Sequence, residues 1–374
     1  MRVALLTYST KPRGGVVHTL ALAEALAGLD VDVSVWTLGR DGDDGFFRPV
    51  DPAVEVHVVP LPHLEGETVG ARIVRSIAVL GAAFAAEQVR ATVPYDVVHA
   101  QDCISANAVP QCVRTIHHLD QFTTPELVAC HERAIVRPYA HVCVSAAVAA
   151  EVEAGWGLHP VVIPNGVDAA RFAAAAADPA SQAPWRRRFG RYVLAVGGIE
   201  PRKGTLDLLE AFALARASMP DLELVVAGGE TLFDYRDYRA AFDARAAELA
   251  VDVHVLGPVD HAVLPGLVAG CAAFGFVSTK EGFGLAAMEA LAADVAVVAR
   301  PLPVLREVLG SHVRYGDEPA SIAAALLDAV QDGPSAGGSA LARRHTWDAA
   351  ARAHLDLYAS LTGGGLIGQP PDRT

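Results

Sequence analysis

Short apolar runs recur along the whole chain, separated by stretches with helical periodicity. In the first half the runs are Val3–Tyr8, Val31–Thr37, Val54–Val59, Val97–His99, Val113–His117 and Val142–Ser145. Helical stretches between some of them include Val16–Gly28, Ala71–Arg90 and Pro125–Arg137. The second half repeats the theme with Tyr192–Val196, Leu222–Ala227, Val253–Leu256, Ala273–Val277 and Val295–Ala299. Strands apolar on both faces must be covered on both sides, which implies mostly parallel sheets flanked by helices. A chain of 374 residues has the length for two such domains, each with its own core. We therefore read two doubly wound α/β domains, a duplication of architecture without an evident repeat of sequence.

The boundary is expected near Ile163-Pro-Asn-Gly-Val-Asp168, where Pro, Asn and Gly favour a tight turn. Ala173–Ala183 after it is small and weakly patterned, and Arg186-Arg187-Arg188 reads as a solvated helix end. A last helix, Trp347–Leu361, closes the fold, and the tail of residues 363–374 is expected to be disordered. The formal charge of −13 argues against nucleic acid and against strong electrostatic docking on a membrane. The N-terminus reads as a strand rather than a signal peptide, and no apolar run looks long enough for a membrane span. The five cysteines show no CxxC and no metal spacing, which suits reduced core residues in a cytoplasmic protein. Asp30-Val31-Asp32 leads into a strand and reads as a turn; Asp41–Asp44 reads as an acidic loop.

In open α/β sheets ligands bind beyond the carboxyl ends of the strands, so the chemistry is sought in the turns that follow them. The richest is Ser278-Thr-Lys-Glu281-Gly282-Phe283-Gly284-Leu285, leading into a helix predicted over Phe283–Ala293 that carries Glu289. Glycines admit close approach of a ligand, and the free N–H groups of a first helical turn suit phosphate. Eight helical residues rise about 12 Å and return to nearly the same face, so Glu281 and Glu289 are expected to grip different parts of one long ligand.

Tyr192–Val196 is followed by Gly197-Gly-Ile-Glu-Pro-Arg202-Lys203-Gly204, with Thr205 expected to cap the next helix. Arg202 as a fork and Lys203 as a point charge are well placed for a diphosphate. Gly14 and Gly15 follow the first strand, and His117-His118 follows Val113–Ile116; of the two histidines His117 is favoured for the ligand side. Gly228-Gly229-Glu230 and Gly257-Pro258-Val259 are either pocket lining for a planar base or simple connectors.

Taken together, Glu281-Gly-Phe-Gly-Leu with Glu289, the Gly197–Gly204 loop, the Ile163–Asp168 linker, Gly14-Gly15 and His117 resemble the motifs of the family 4 retaining glycosyltransferases, in order and over nearly the whole chain. The resemblance implies a GT-B fold: residues 1–166 as the acceptor-side domain with helix 347–361 crossing back, residues 167–346 as the donor domain, and a central cleft. It implies transfer of a hexose from a UDP- or GDP-sugar to an acceptor hydroxyl with retention, and no metal or tightly bound cofactor. Arg202 and Lys203 would neutralise the diphosphate, Glu289 hold the ribose, and Glu281 bind the sugar hydroxyls. Gly282, Phe283, Gly284 and Leu285 would contact sugar and phosphate, His117 the sugar and Gly14-Gly15 the phosphates, with Val259 lining the base.

Ala293-Asp294-Val295 stands where the family usually has Gly and Pro. Domain closure is expected with hinges near Asn165-Gly166 and before Trp347. Rival readings on the same architecture are a sugar-nucleotide epimerase and a non-catalytic nucleotide-sugar binder. The acceptor, a small molecule or glycan, is expected among the loops at 46–48, 63–75 and 120–132.

Overall fold

The computed structural model describes residues 1–40, 42–120, 122, 124–228 and 235–363. Asp41, Gly229-Glu230 and the tail after Gly363 lie outside the described residues. The chain divides into two compact units, Met1–Gly166 with the last helix Trp347–Gly363, and Val167–Thr346.

The N-terminal unit holds a seven-stranded sheet: β1 (Arg2–Leu6), β2 (Asp32–Arg40), β3 (Val54–Leu61), β4 (Val97–Ala100), β5 (Val113–Ile116), β6 (Ala140–Cys143) and β7 (Val161–Val162). The order is β3-β2-β1-β4-β5-β6-β7 and every pairing is parallel. The C-terminal unit holds β8 (Arg191–Val196), β9 (Leu222–Ala227), β10 (Val253–Gly257), β11 (Ala273–Phe276), β12 (Val297–Ala299) and β13 (Arg314–Tyr315). Their order is β10-β9-β8-β11-β12-β13, again all parallel. In each sheet the strand order reverses once, at β1/β4 and at β8/β11, which opens a crevice at the carboxyl ends of those strands.

Burial explains the strands. Val3, Leu5, Val33, Val35, Val97 and Val113 join one core with Leu20 and Leu26 of the first helix, Gly14–Ala27. The last helix adds Ala351 and Tyr358 to that core. Its Tyr358 is fully buried, its hydroxyl 2.6 Å from His99 Nδ1. The C-terminal core packs Leu224, Ala273 and Val298 against Leu208, Phe212, Ile322 and Leu326.

Several expectations need correction. Ala173–Ala183 belongs to two helices, Ala169–Ala177 and Pro179–Phe189. Asp178 ends the first and caps the second, its carboxylate accepting from Ala180 N at 3.0 Å. The triple arginine is, as expected, the exposed last turn of Pro179–Phe189, with Arg186 Nε also donating to the Gly270 carbonyl at 3.3 Å. The edge strands β7 and β13 are two residues long, too short to leave a periodic signal. Gly204, in the left-handed conformation at φ 62°, is the N-cap of Thr205–Ser218; Thr205 lies inside the helix and donates to the Tyr238 hydroxyl. Finally, Val69–Arg90 is long and apolar enough, by length and composition, to cross a membrane. In this fold it packs Ile73, Leu80 and Phe84 inward beside β2 and β3 and leaves Val74 and Val89 exposed.

Candidate active site

The C-terminal unit concentrates charge at the carboxyl ends of β8 and β11, the strands flanking its crevice. After β8 the chain makes a short 3-10 turn, Pro201–Lys203, before Gly204 admits it to the next helix. After β11 the Ser278–Gly284 segment runs alongside, stitched to it by Thr279 N donating to the Arg202 carbonyl at 2.8 Å. Four side chains meet there. Lys203 Nζ lies 3.1 Å from Glu281 Oε2, and Arg202 lies 3.1 Å from Glu200 and 3.7 Å from Glu281. Lys203 Nζ also sits over the Phe276 ring, 5.4 Å from its centre. Glu200 is buried and was not singled out from the sequence; one Glu in a Gly-Pro loop carries no signal until its partner is known. Its carboxylate holds the Arg202 fork in place, while Glu281 occupies the inner faces of both cations.

The glycines of these loops do specific work. At Gly197, φ 137°, a Cβ would press on the Lys203 stem at 3.2 Å. At Gly204 a Cβ would stand 2.4 Å from the Val277 carbonyl oxygen. Gly204→Ala therefore combines a left-handed φ with a backbone clash. We expect it to cost about 2 kcal/mol or more, lowering the melting temperature by roughly 4–8 °C, as read by calorimetry.

Gly284 (φ 93°) caps the helix Leu285–Ala292, and Phe283 is buried edge-on against His345. The first intrahelical bond is from Met288 N to Gly284 O, so the N–H groups of Leu285, Ala286 and Ala287 have no partner within the helix. Because the helix begins at Leu285, the expectation that Glu281 and Glu289 share one helical face fails: a glycine turn separates them. The two carboxylates stand in different surroundings. Glu281 faces cations, whereas the Glu289 carboxyl is pushed up to about 7, chiefly by burial, with Asp168 adding and Arg171 opposing.

Asp168 closes the linker motif and accepts from Arg171 N; Arg171 in turn reaches His261 at 2.7 Å. Neither Asp168 nor Arg171 was marked as a neighbour of Glu289 from the sequence, since roughly 120 residues separate them. Val259 is half-buried just after β10, the edge strand two positions from β8.

The N-terminal unit places His117 beside Gly15: a Cβ on Gly15 would touch the imidazole at 3.5 Å, while one on Gly14 would meet nothing. His118 turns away to Asp120, 2.9 Å from its carboxylate. Behind His117 lies a group of buried imidazoles that sequence reading missed. His18 is edge-on to His117 at 4.8 Å, to Trp347 at 5.4 Å and to His354 at 6.2 Å. His18 Nδ1 pairs with Asn165 Oδ1 at 2.9 Å, and His99 Nε2 with Thr115 Oγ1 at 2.7 Å. Burial holds all four histidines below their ordinary pKa, His18 at about 3 and His354 at about 4. They are neutral at physiological pH, so His117 meets a ligand as a hydrogen-bonding group and not as a cation. Among the described residues no three His, Cys, Asp or Glu side chains are grouped to hold a metal.

Two parallel doubly wound units, with a cation pair, a glycine turn and a helix start beside the second sheet's crevice, define a GT-B fold of the kind that handles nucleotide sugars. Comparison with solved structures agrees: Anabaena HepE, solved with UDP-glucose, superposes with a TM-score of 0.75 at 19% identity, over 96% of this chain and 100% of that one. The Glycosyltransferase Family 4 family matches residues 12–171 and the Glycosyl transferases group 1 family residues 185–353.

The D-inositol 3-phosphate glycosyltransferase of Salinispora arenicola is 30% identical, covering 96% of this chain and 91% of that protein. The phosphatidyl-myo-inositol mannosyltransferase of Mycobacterium tuberculosis is 30% identical over 263 residues, 65% of this chain. That match spans just under two thirds, 66%, of the mycobacterial protein's length. The chain belongs to the group 1, family 4 glycosyltransferases.

Proposed function

We propose that the protein transfers a hexose from a uridine or guanosine diphosphate sugar to an acceptor hydroxyl, with retention of anomeric configuration. The observation that carries the reading is the pairing of Arg202 and Lys203 around Glu281, on a glycine loop at the carboxyl end of β8. A donor diphosphate entering there meets two cations and displaces Glu281 towards the sugar hydroxyls. The charge that develops on the departing phosphate is then met by Arg202 and Lys203 without a metal ion. The orphan N–H groups of the helix Leu285–Ala292 add partial positive charge for the same phosphates. Glu289 accepts the ribose hydroxyls, Val259 lies towards the base, and Gly15 and His117 of the N-terminal unit are assigned to phosphate and sugar. The departing phosphate oxygen takes the acceptor's proton, so no side-chain nucleophile is required. We place the enzyme in the cytoplasm, where nucleotide sugars are made.

The test is a metal-free panel of nucleotide sugars, read by melting temperature and by release of nucleoside diphosphate. One donor that both stabilises and is slowly hydrolysed supports the reading; stabilisation by none overturns it.

The assignment of Glu289 has a pH signature of its own. The carboxylate accepts from both ribose hydroxyls, and protonation removes an acceptor. Since its pKa is about 7, affinity for the nucleotide sugar should rise with pH to a plateau above 7. Below 7 it should fall by up to about tenfold per pH unit. Titration calorimetry at pH 5.5 to 8.5 checks this, and Glu289→Gln should bind weakly with a flat profile.

A further inference from the structure

Two of the five cysteines meet between helices of the N-terminal unit. Cys103 opens the short helix Cys103–Ala108, directly after β4, and Cys130 lies in the middle of Pro125–Val136. Asn107 ties the two helices together. Its side-chain amide donates to the Cys103 carbonyl at 2.7 Å, to the Cys130 carbonyl at 2.8 Å and to Cys130 Sγ at 3.5 Å. Arg133 Nε donates to the oxygen of the same amide at 3.2 Å. Held this way, the two sulfurs are neighbours: the Cys103 thiol is hydrogen-bonded to Cys130 and to the His131 ring. Cys103 is partly exposed, whereas Cys130 is buried.

The surroundings favour a thiolate on Cys130. The hydrogen bond from Cys103 holds its thiol below the ordinary value; burial and Asp102 oppose this, and Arg133 and Arg114 assist it. The other three cysteines differ. Cys112, Cys143 and Cys271 are buried, and burial pushes their thiols up. Reactive thiols sit in electropositive, partly open surroundings, and inert ones in apolar cores.

We propose that Cys103 and Cys130 are a modification site, a thiol pair that hydrogen peroxide converts reversibly into a disulfide. Cys130 gives its proton to solvent, and its sulfur attacks one peroxide oxygen. The S–O bond forms as the O–O bond breaks, leaving a sulfenic acid on Cys130. The departing hydroxide takes the Cys103 thiol proton and becomes water. The Cys103 sulfur then attacks Cys130 Sγ. The S–S bond forms, the S–O bond breaks, and the released hydroxide recovers a proton from solvent as the second water. The thiol pair thus loses two electrons, and one peroxide is reduced to two waters. An external dithiol reverses the step by exchange. Disulfides of cytosolic proteins are usually of this transient kind. The bond would pin the residue after Asp102 to Pro125–Val136; the Asp102 carboxylate accepts from Tyr8 N, just beyond β1, at 2.9 Å.

The inference stands apart from the glycosyltransferase reading, since neither donor nor acceptor takes part in the step. Its test is a peptide map of the whole reduced protein, treated with hydrogen peroxide, alkylated and digested without reduction. Mass spectrometry should find Cys103 joined to Cys130, with two hydrogens lost. The peroxide required should be about tenfold less than that which oxidises Cys112, Cys143 or Cys271. Dithiothreitol should restore both thiols. Cys103→Ser and Cys130→Ser should each lose the cross-link, and Cys112→Ser should keep it. In Cys103→Ser, dimedone should trap the sulfenic acid on Cys130.

Peroxide that oxidises another cysteine first overturns the site. So does oxidation of Cys103 or Cys130 to a sulfinic or sulfonic acid without a cross-link, or a bond from either to a third cysteine. Failure of dimedone to label Cys103→Ser, with labelling of Cys103 in Cys130→Ser, overturns Cys130 as the attacking sulfur. The wild-type map decides the cross-link without any variant, so a substitution that fails to fold leaves the test intact.

Discussion

Lys203→Ala should lower kcat by two to three orders of magnitude with saturating donor, while the protein still melts as a cooperative unit. Lys203 Nζ is 3.1 Å from Glu281, and its stem runs past Gly197, the one residue type that leaves room for it there. In the proposed reaction the ammonium meets charge that grows on the leaving diphosphate as the glycosidic bond breaks. An interaction that strengthens towards the transition state appears in kcat; losing one such donor typically costs about 10²–10³-fold. Alanine also leaves Glu281 facing only the more distant cation, Arg202 at 3.7 Å. Arginine is not a conservative replacement, since a planar fork replaces the point charge that sits beside Gly197 and over Phe276. Steady-state kinetics beside a melting curve decide the matter. Wild-type kcat in Lys203→Ala would remove the proposed leaving-group site, whereas a collapse in melting temperature would assign Lys203 to structure.

The second large effect is on acid stability. His18, His99, His117 and His354 lie together in the N-terminal unit. Desolvation is the main cause of their low pKa values. Contact among the rings adds to it for His18, His99 and His117, and Arg114 adds further for His99 and His117. In the unfolded chain each returns to about 6.5, so below that pH the unfolded state binds more protons than the folded one. Their stabilising contribution is whole above about pH 6.5 and is lost as pH falls through the folded values, about 4 for His354 and about 3 for His18.

Each imidazole removes up to about 1.4 kcal/mol per pH unit in that window, so four together remove up to about 5.6 kcal/mol per pH unit. Against a domain stability of about 5–15 kcal/mol, this predicts a steep acid transition between about pH 6 and 4. Trp347, 5.4 Å from His18, supplies a fluorescence signal beside circular dichroism. His354→Phe should make the transition shallower by about one proton and move its midpoint to lower pH. A midpoint below pH 3 in the wild type, or a slope of a single proton, would show that the cluster does not control acid stability.

The two sheets were legible because a parallel strand buried on both faces is a run of apolar residues, and such runs are local. Every strand of that kind, from Val3–Leu6 to Val297–Ala299, stood in the sequence, while the two-residue edges at Val161 and Arg314 did not. The glycine turn at Gly282–Gly284 and the Arg202-Lys203 pair were legible too, since backbone freedom and charge are properties of the residues themselves. The helix start was misplaced by two residues because Phe283 reads as helix-compatible, yet its side chain is buried against His345 before the helix begins.

What the sequence determined on its own was therefore local: which segments are strands, which turns are flexible enough to admit a phosphate, and which side chains carry charge there. Tertiary structure alone decided the pairings: Glu200 with Arg202, the Glu289 carboxyl near Asp168 and Arg171, Arg13 and Arg40 on one tyrosine ring, and His18, His99 and His354 sealed from water behind His117. The physical reason is that pKa and ion pairing depend on distance and desolvation in space, and parallel crossovers bring together residues separated by tens to hundreds of positions along the chain.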